Sequence, residues 1–165
     1  MASARRVSAQ TDLFHGTRYQ GDLDRLEPRG GAVGIHAGSE EQARYMSGDD
    51  GRVLPVNMTV NNPLRTNDME NGWEDIENYL PILQWEGKIT PEQAKTISDD
   101  HARAFFQWQE DNPGGSHEAL MEHNAQGIRA LIQSHGYDGL VYNNDWEGEG
   151  DSYVAFHPDQ VQIAR

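Results

Sequence analysis

Cysteine is absent from the sequence, and this absence removes three kinds of chemistry at once. Without thiols the chain can form no disulfide, no thiolate zinc site and no cysteine nucleophile. Long apolar runs are absent too, since nothing approaches the roughly 20 residues that span a bilayer. The opening residues, MASARRVSAQT, lack the apolar stretch of a secretory signal. We therefore expect a soluble cytoplasmic protein without membrane association.

Basic residues are few, with 13 Lys and Arg against 27 Asp and Glu, for a net charge of −14. A surface of this sign repels phosphate backbones, and the basic residues are scattered apart from Arg5 and Arg6. This balance argues against general nucleic-acid binding. It suits docking onto a basic protein partner instead.

The apolar fraction of 36% is low for a folded domain, but aromatic residues are well represented, with four Trp, six Tyr and four Phe. Disordered chains are poor in aromatics, so this composition favours a folded protein with a polar surface. A chain of 165 residues is long enough for one real core. We predict a flexible tail over residues 1–10 and a single domain over 11–165.

Strand patterns stand at both ends of the chain. At the amino-terminal side we predict strands at Leu13–His15, 33–39 and 52–60, with Pro55 placing the third at a sheet edge or a bulge. Ser39 is the expected N-cap of a short helix between the last two. After Gly136 the strand pattern returns with YDGLVY, and SYVAFHPDQVQI then alternates until Pro158 interrupts it.

Helical patterns fill the middle of the chain. The segment EDIENYLPILQW is interrupted by Pro81, so we expect it to bend or split. Thr90 followed by Pro91 and Gln93 predicts the start of a long helix. A further helix carries apolar residues on one face and ends at Gly136; these residues are Leu120, Ile128, Leu131 and Ile132. The order of strands, helices and strands indicates an α+β fold with helices over residues 73–135.

Several motifs of common sites begin in this sequence and then fail. The acidic loop NNDWEGEGD starts like an EF-hand, but the position of the bidentate glutamate holds Val154. His117-Glu118 starts like a zinc-protease helix, but Met121 stands where the second histidine belongs. Neither a phosphate-binding loop nor a Gly-x-Ser-x-Gly elbow is present.

Three further segments carry residues that suggest a binding site, and they follow one another in the order FHGT at 14–17, GIHAGSEEQARY at 34–45 and DSYVAFHPDQVQ at 151–162. In this order they resemble the three strand motifs of the ADP-ribosyltransferase fold, the family of diphtheria-type toxins and poly-ADP-ribose polymerases. With GYDGLVYNN added, the set is most similar to small phage-type members, including domains of polyvalent proteins and some anti-CRISPR inhibitors. The resemblance leaves residues 65–125 uncovered. It implies a split antiparallel β-sheet core with a helical insertion in the middle.

The resemblance also implies an activity, that of an NAD-dependent mono-ADP-ribosyltransferase. Such an enzyme takes NAD as a substrate, moves ADP-ribose to a protein target and releases nicotinamide. This is a glycosyl transfer, because NAD loses nicotinamide through an oxocarbenium-like transition state, much as a glycoside loses its leaving group. The phage-like motif set implies a host-modifying effector or a defence inhibitor.

The same resemblance implies which residues bind NAD. His15 would bond the ribose hydroxyls, and Gly16, having no Cβ, would let its backbone approach the carboxamide. Tyr45 would stack on the cationic nicotinamide ring. The positions that match the cofactor-binding motifs are His15, Gly16, Thr17, Ser39, Tyr45 and Ser152.

Two positions depart from the family pattern. His36 stands where the family has a strand tyrosine, and a histidine there is found in the RNA 2′-phosphotransferase branch, which also uses NAD. Ser152 stands where the family has a glutamate that stabilises the oxocarbenium ion. The carboxylate could come from Glu147, which the phage-type pattern favours, or from Asp151, which is nearest in position; Glu149 lies between them. The candidate catalytic residues are therefore His15, His36, Glu147 and Asp151.

Three alternatives stay open at this point. His36 suggests an RNA 2′-phosphotransferase-like enzyme, although an RNA ligand would favour basic residues that this chain lacks. Ser152 suggests a catalytically inactive relative that acts as an acidic protein-binding inhibitor. A plain phage or bacterial structural protein is the third alternative, with no specific feature in its favour.

Overall fold

The computed structural model describes residues 10–29 and 32–164, and these divide into two compact units. The first unit contains the described residues up to Glu27, then Gly34–Asn67 and those from Tyr137 onward. The second contains the described part of Pro28–Val33 and Asp68–Gly136. Of the tail predicted over 1–10, residues 1–9 lie outside the described residues and Gln10 already belongs to a strand. The single domain over 11–165 stays a prediction.

The described strands all lie in the first unit and form two sheets. One sheet has the order β1-β3-β7 and the other has the order β2-β6-β5-β4. The strands are β1 Gln10–Thr17, β2 Ile35–Ala37, β3 Arg52–Met58, β4 Pro63–Thr66, β5 Gly139–Asn143, β6 Asp151–Ala155 and β7 Val161–Ile163. The α+β class is confirmed, and the strands predicted on both sides of the helical middle are present.

The predicted split antiparallel core is antiparallel at all the described strand pairs except one. β4 pairs with β5 in parallel, with Leu64 opposite Leu140, while the other strand pairs are antiparallel. Parallel neighbours need a long crossover connection. Here that connection is the helical segment of the second unit, between β4 and β5, and it brings the chain back in the same direction.

Pro55 does not lie at a sheet edge or a bulge, because β3 is the central strand of its sheet. It faces Phe14 of β1, whose backbone exchanges hydrogen bonds with Gly38 at 2.8 and 3.0 Å. Phe14 and Pro55 are therefore a non-hydrogen-bonded pair of the antiparallel ladder. In such a pair the N–H and C=O groups of both residues point away from the facing strand, so the backbone groups of Pro55 point away from β1. Its carbonyl accepts from the Ala164 N–H at 2.8 Å, just beyond β7. The missing N–H therefore falls where the β3–β7 ladder ends.

The two sheets share one hydrophobic core. Strands β1, β3 and β7 and the segments beside them supply one part of it, and β2 and β6 supply the other. The buried members are Leu13, Leu26, Ile35, Ala37, Val56, Met58, Val60, Ala155 and Val161. Because the apolar faces of the sheets are buried together, the ends of β1 and β2 are held close to each other.

The helices confirm most of the local signals. In the first unit, Ser39 caps α1 (Glu40–Ser47). In the second, the segment splits as expected, but at Tyr79, between a 3₁₀ turn (Ile76–Asn78) and α2 (Leu80–Trp85), which has Pro81 in its first turn. The remaining helices are α3 (Pro91–Asp111), capped by Thr90, and α4 (His117–Ser134), which ends before Gly136 at a φ of 88°. Among the described residues, no helix has both the length and the apolar composition needed to cross a bilayer.

Gly16 lies where β1 and α1 come closest. A Cβ atom built on Gly16 would stand 2.1 Å from the carbonyl oxygen of Ala43, which real side chains do not tolerate. We expect Gly16→Ala to lower the free energy of unfolding by about 1–3 kcal/mol, because α1 must move off the strand. Urea denaturation measures the loss. Gly127→Ala is the control, since its Cβ would meet no neighbour closer than 3.7 Å, and an equal loss in both variants would contradict the account.

Candidate functional site

His15 lies near the carboxyl end of β1, and its ring is fixed by one backbone hydrogen bond. Its Nδ1 atom lies 2.7 Å from the carbonyl oxygen of His36 in β2. A carbonyl oxygen only accepts hydrogen bonds, so Nδ1 carries the proton and donates it. In the neutral ring this leaves Nε2 as a hydrogen-bond acceptor.

The charge state of His15 follows from its surroundings. Burial lowers the pKa of the imidazole below its usual range, and the hydrogen bond to the carbonyl of His36 opposes this only in part. The ring is therefore neutral at neutral pH. The side chain is half-buried, and its acceptor nitrogen can bind a hydroxyl group of a ligand.

His36 points its side chain to the face of its sheet that also carries Tyr142. The Nδ1 atom lies 3.2 Å from the tyrosine hydroxyl, and the two rings meet edge to face with centroids 5.9 Å apart. Burial, and secondarily the charge of nearby His15, lower the pKa of His36 to about 4. His36 is thus a second neutral imidazole beside the first.

Ser152, at the position where the family has its glutamate, is buried in a polar network. Its hydroxyl donates to Oε1 of Gln42 at 2.9 Å and accepts from the side-chain amide of Asn144 at 3.2 Å. Its side chain is only 3% exposed. The hydroxyl of Ser152 therefore connects Gln42 of α1 to Asn144, the first residue of the loop that precedes β6.

Gln42 stands at the centre of this network. It is the third residue of α1, and its Oε1 accepts from the backbone N–H of Ser39 at 2.8 Å while Ser39 Oγ accepts from the backbone N–H of Gln42 at 3.2 Å. This is a capping box. Its Nε2 reaches the loop of residues 144–150, which we call the Glu147 loop, and donates to the carbonyl of Gly148 at 2.9 Å.

Glu147 is held by Asn144 from two sides. The side-chain amide of Asn144 donates to Oε2 of Glu147 at 2.7 Å, and its Oδ1 accepts from the backbone N–H of Glu147 at 3.1 Å. Asn144 itself is buried, whereas Glu147 is half-buried. This arrangement fixes a carboxylate at the surface of the loop.

Asp151 forms an ion pair with Arg65. The guanidinium of Arg65 in β4 donates to both of its carboxylate oxygens, at 3.0 and 2.8 Å. These hydrogen bonds hold the pKa of Asp151 below its usual range, against a smaller opposing effect of burial. A bidentate arginine would have to be displaced before Asp151 could face a ligand.

The other predicted binding residues take varied positions. Tyr45 lies on α1 with 59% of its surface exposed, three residues after Gln42, so the two are neighbours on the helix surface. The Thr17 hydroxyl at the end of β1 accepts from the backbone N–H of Tyr19 at 3.2 Å. Gly16 lies beside α1, and Ser39 is the N-cap of that helix.

The structure thus brings five of the predicted residues into two groups. His15 and His36 form one. In the other, Ser39 and Ser152 bond the side chain of Gln42, and Glu147 is joined to Ser152 through Asn144. Sequence reasoning missed four residues: Gln42, Arg65, Tyr142 and Asn144. The Ser-x-x-Gln spacing at Ser39 was the one signal that could have identified any of them, because it is that of a capping box.

No protein-family model matches the chain, and no curated protein matches it significantly. A search of solved structures finds a chain described as "Crystal structure of an anti-CRISPR protein". The alignment covers 92% of this chain and 93% of that chain, at 14% identity and a TM-score of 0.37. A likeness of this size carries no argument for a shared fold or activity.

Proposed function

We propose that the protein is an NAD-dependent mono-ADP-ribosyltransferase that moves ADP-ribose from NAD to a protein target. The observation that carries this proposal is the state of His15. It is a neutral imidazole whose Nδ1–H is occupied by a backbone carbonyl, so that Nε2 is an acceptor. The motif resemblance assigns to this residue the binding of ribose hydroxyls, which are hydrogen-bond donors, and an acceptor is what that task needs.

Glu147 is the carboxylate that we assign to the oxocarbenium-like transition state. A fixed negative charge stabilises positive charge that develops on the ribose, and it is most effective when it is already in place. Glu147 is held in place by two hydrogen bonds with Asn144, and Asp151 would have to leave its ion pair with Arg65 to take this role. Tyr45 offers an exposed ring on α1 for stacking with the cationic nicotinamide.

The test of this proposal follows both products of the reaction. NAD labelled on its adenylate phosphate is incubated with the protein and a bacterial lysate, and nicotinamide release and protein-bound label are measured together. We expect both to appear in equal amounts. Nicotinamide release without label on protein would contradict the transfer step, and the absence of both would contradict the proposal as a whole.

One observation favours a second candidate, an inactive relative that acts as an acidic protein-binding inhibitor. Ser152 replaces the family glutamate and is buried in the network around Gln42, where it supplies no charge. Such a protein would leave NAD uncleaved and would bind a basic partner through an interaction that weakens with salt. Pull-down from lysate at low and high ionic strength, read beside the NAD assay, separates the two candidates.

A further inference from the structure

The Glu147 loop wraps around a single amide group. Four of its backbone carbonyl oxygens lie within hydrogen-bond distance of the Nε2 atom of Gln42: Asn144 at 3.3 Å, Gly148 at 2.9 Å, Glu149 at 3.4 Å and Gly150 at 3.2 Å. An amide nitrogen has two hydrogens, so these oxygens share them. Four acceptors around one buried donor attach this loop to α1 through the side chain of Gln42.

A capping box alone does not require these contacts. Thr90 and Gln93 form the same capping box at the start of α3, with Thr90 N–H donating to Oε1 of Gln93 at 2.8 Å. Gln93 is exposed there, whereas Gln42 is 3% exposed and carries the loop on its nitrogen. The amide nitrogen of Gln42 therefore has a task that capping α1 does not explain.

Contacts within the loop hold Glu147 to Asn144, but they do not attach the loop to α1. Gly148 and Gly150 take φ values of 146° and 110°. Glycine has many accessible backbone conformations, so these two residues do not by themselves fix the conformation of the loop. One backbone hydrogen bond, from the N–H of Asn144 to the carbonyl of Gly150 at 2.9 Å, closes the loop at its base. The position of Glu147 relative to α1 therefore depends on contacts between the loop and the helix, such as those of Gln42.

We infer that Gln42 is a positioning residue, which holds the Glu147 loop against α1 so that the carboxylate of Glu147 faces the ligand. This inference rests on the proposed function, since it assigns a role in that reaction. Gln42 also lies one turn from Tyr45 on the same helix. One side chain thereby ties the segment that carries the carboxylate to the helix that carries the stacking ring.

Gln42→Glu separates the two tasks of this side chain. A glutamate at this position still accepts from Ser39 N–H and suits the first turn of a helix, so α1 is retained. It no longer donates to the loop carbonyls, and its charge repels them. Gln93→Glu is the matched control, because it makes the same change in the same motif of α3, away from the loop.

Two readouts are measured on both variants and on the full-length wild type: amide hydrogen exchange of residues 144–150, and the steady-state kinetics of nicotinamide release. For Gln42→Glu we expect faster exchange in the loop and a kcat reduced by about 100-fold with little change in KM, as for a misplaced catalytic group. Gln93→Glu should match the wild type in both. Gly148→Ala is the positive control for a displaced loop, because its φ of 146° strains any side chain and its Cβ would stand 3.2 Å from Cγ of Gln42, and it should shift both readouts in the same direction.

The outcomes separate this inference from the proposed function. Unchanged exchange in the loop of Gln42→Glu overturns the inference, whatever the activity. Faster exchange with full kcat in an active enzyme overturns the positioning role and leaves the transferase standing. Absence of turnover by the wild type removes the proposed function and this role together. If Gln42→Glu does not fold, Gln42→Met, which keeps the length of the side chain and removes its donor, decides by the same two readouts.

Discussion

Glu147→Gln is expected to lower kcat for nicotinamide release by about 10³-fold, the range seen when a preorganised electrostatic contact to a transition state is lost. The glutamine keeps the size of the side chain and an oxygen that accepts from Asn144, so the loop stays in place. What it removes is the negative charge that we assign to the stabilisation of the ribose in the transition state. The circular dichroism spectrum and the melting temperature should remain those of the wild type.

Two control variants make this result specific. Glu149→Gln makes the same change two residues away in the same loop, at an exposed position, and should retain most activity. Asp151→Asn weakens the contact with Arg65 and should cost less activity than Glu147→Gln. If Asp151→Asn abolishes turnover and Glu147→Gln does not, the assignment of the carboxylate is wrong.

Acidification is expected to destabilise the protein through His36. The folded state lowers the pKa of this residue from 6.5 to about 4. Between these two pH values the unfolded chain binds a proton that the folded protein does not, so stability falls as pH falls. The contribution is complete above pH 6.5, and about 3 kcal/mol of it is lost by pH 4. Burial of His15 lowers its pKa too and acts in the same direction.

Urea denaturation at a series of pH values measures this effect. His36→Gln should show a shallower loss of unfolding free energy between pH 6.5 and 4 than the wild type, although carboxylates contribute to both curves. His117→Gln removes a histidine from the exposed first turn of α4 and serves as the control substitution. Parallel curves for the wild type and His36→Gln would show that the imidazole of His36 is not buried in its neutral form.

Local signals in the sequence predicted the helices well because each depends on residues within a few positions of one another. Ser39 and Thr90 cap α1 and α3 through side chains that reach the next turn. Pro81 lies in the first turn of α2, just after the break in its segment, and Gly136 takes the left-handed conformation that ends α4. Nothing outside these segments is needed to specify these features.

Features that depend on distant residues could not be read from the sequence. Gln42 is separated from Gly148 by 106 positions, and only the folded sheet brings the two together. The parallel pairing of β4 with β5 depends on the path of the helical segment between them. A central strand tolerates Pro55 because the pairing with β7 ends beside it, where the missing N–H is not needed. The residues around Pro55 do not reveal where β7 ends. The site is built mainly from contacts of this kind.

The most direct test of the central claim is a ¹⁵N NMR measurement of the His15 ring in the absence and presence of NAD, with His15→Gln used to assign the signals. The account predicts a neutral ring protonated at Nδ1, with an unprotonated Nε2 whose signal moves when NAD is added. A ring protonated at Nε2, or an Nε2 signal that saturating NAD leaves unchanged, would contradict the assignment of His15 as the acceptor for the ribose.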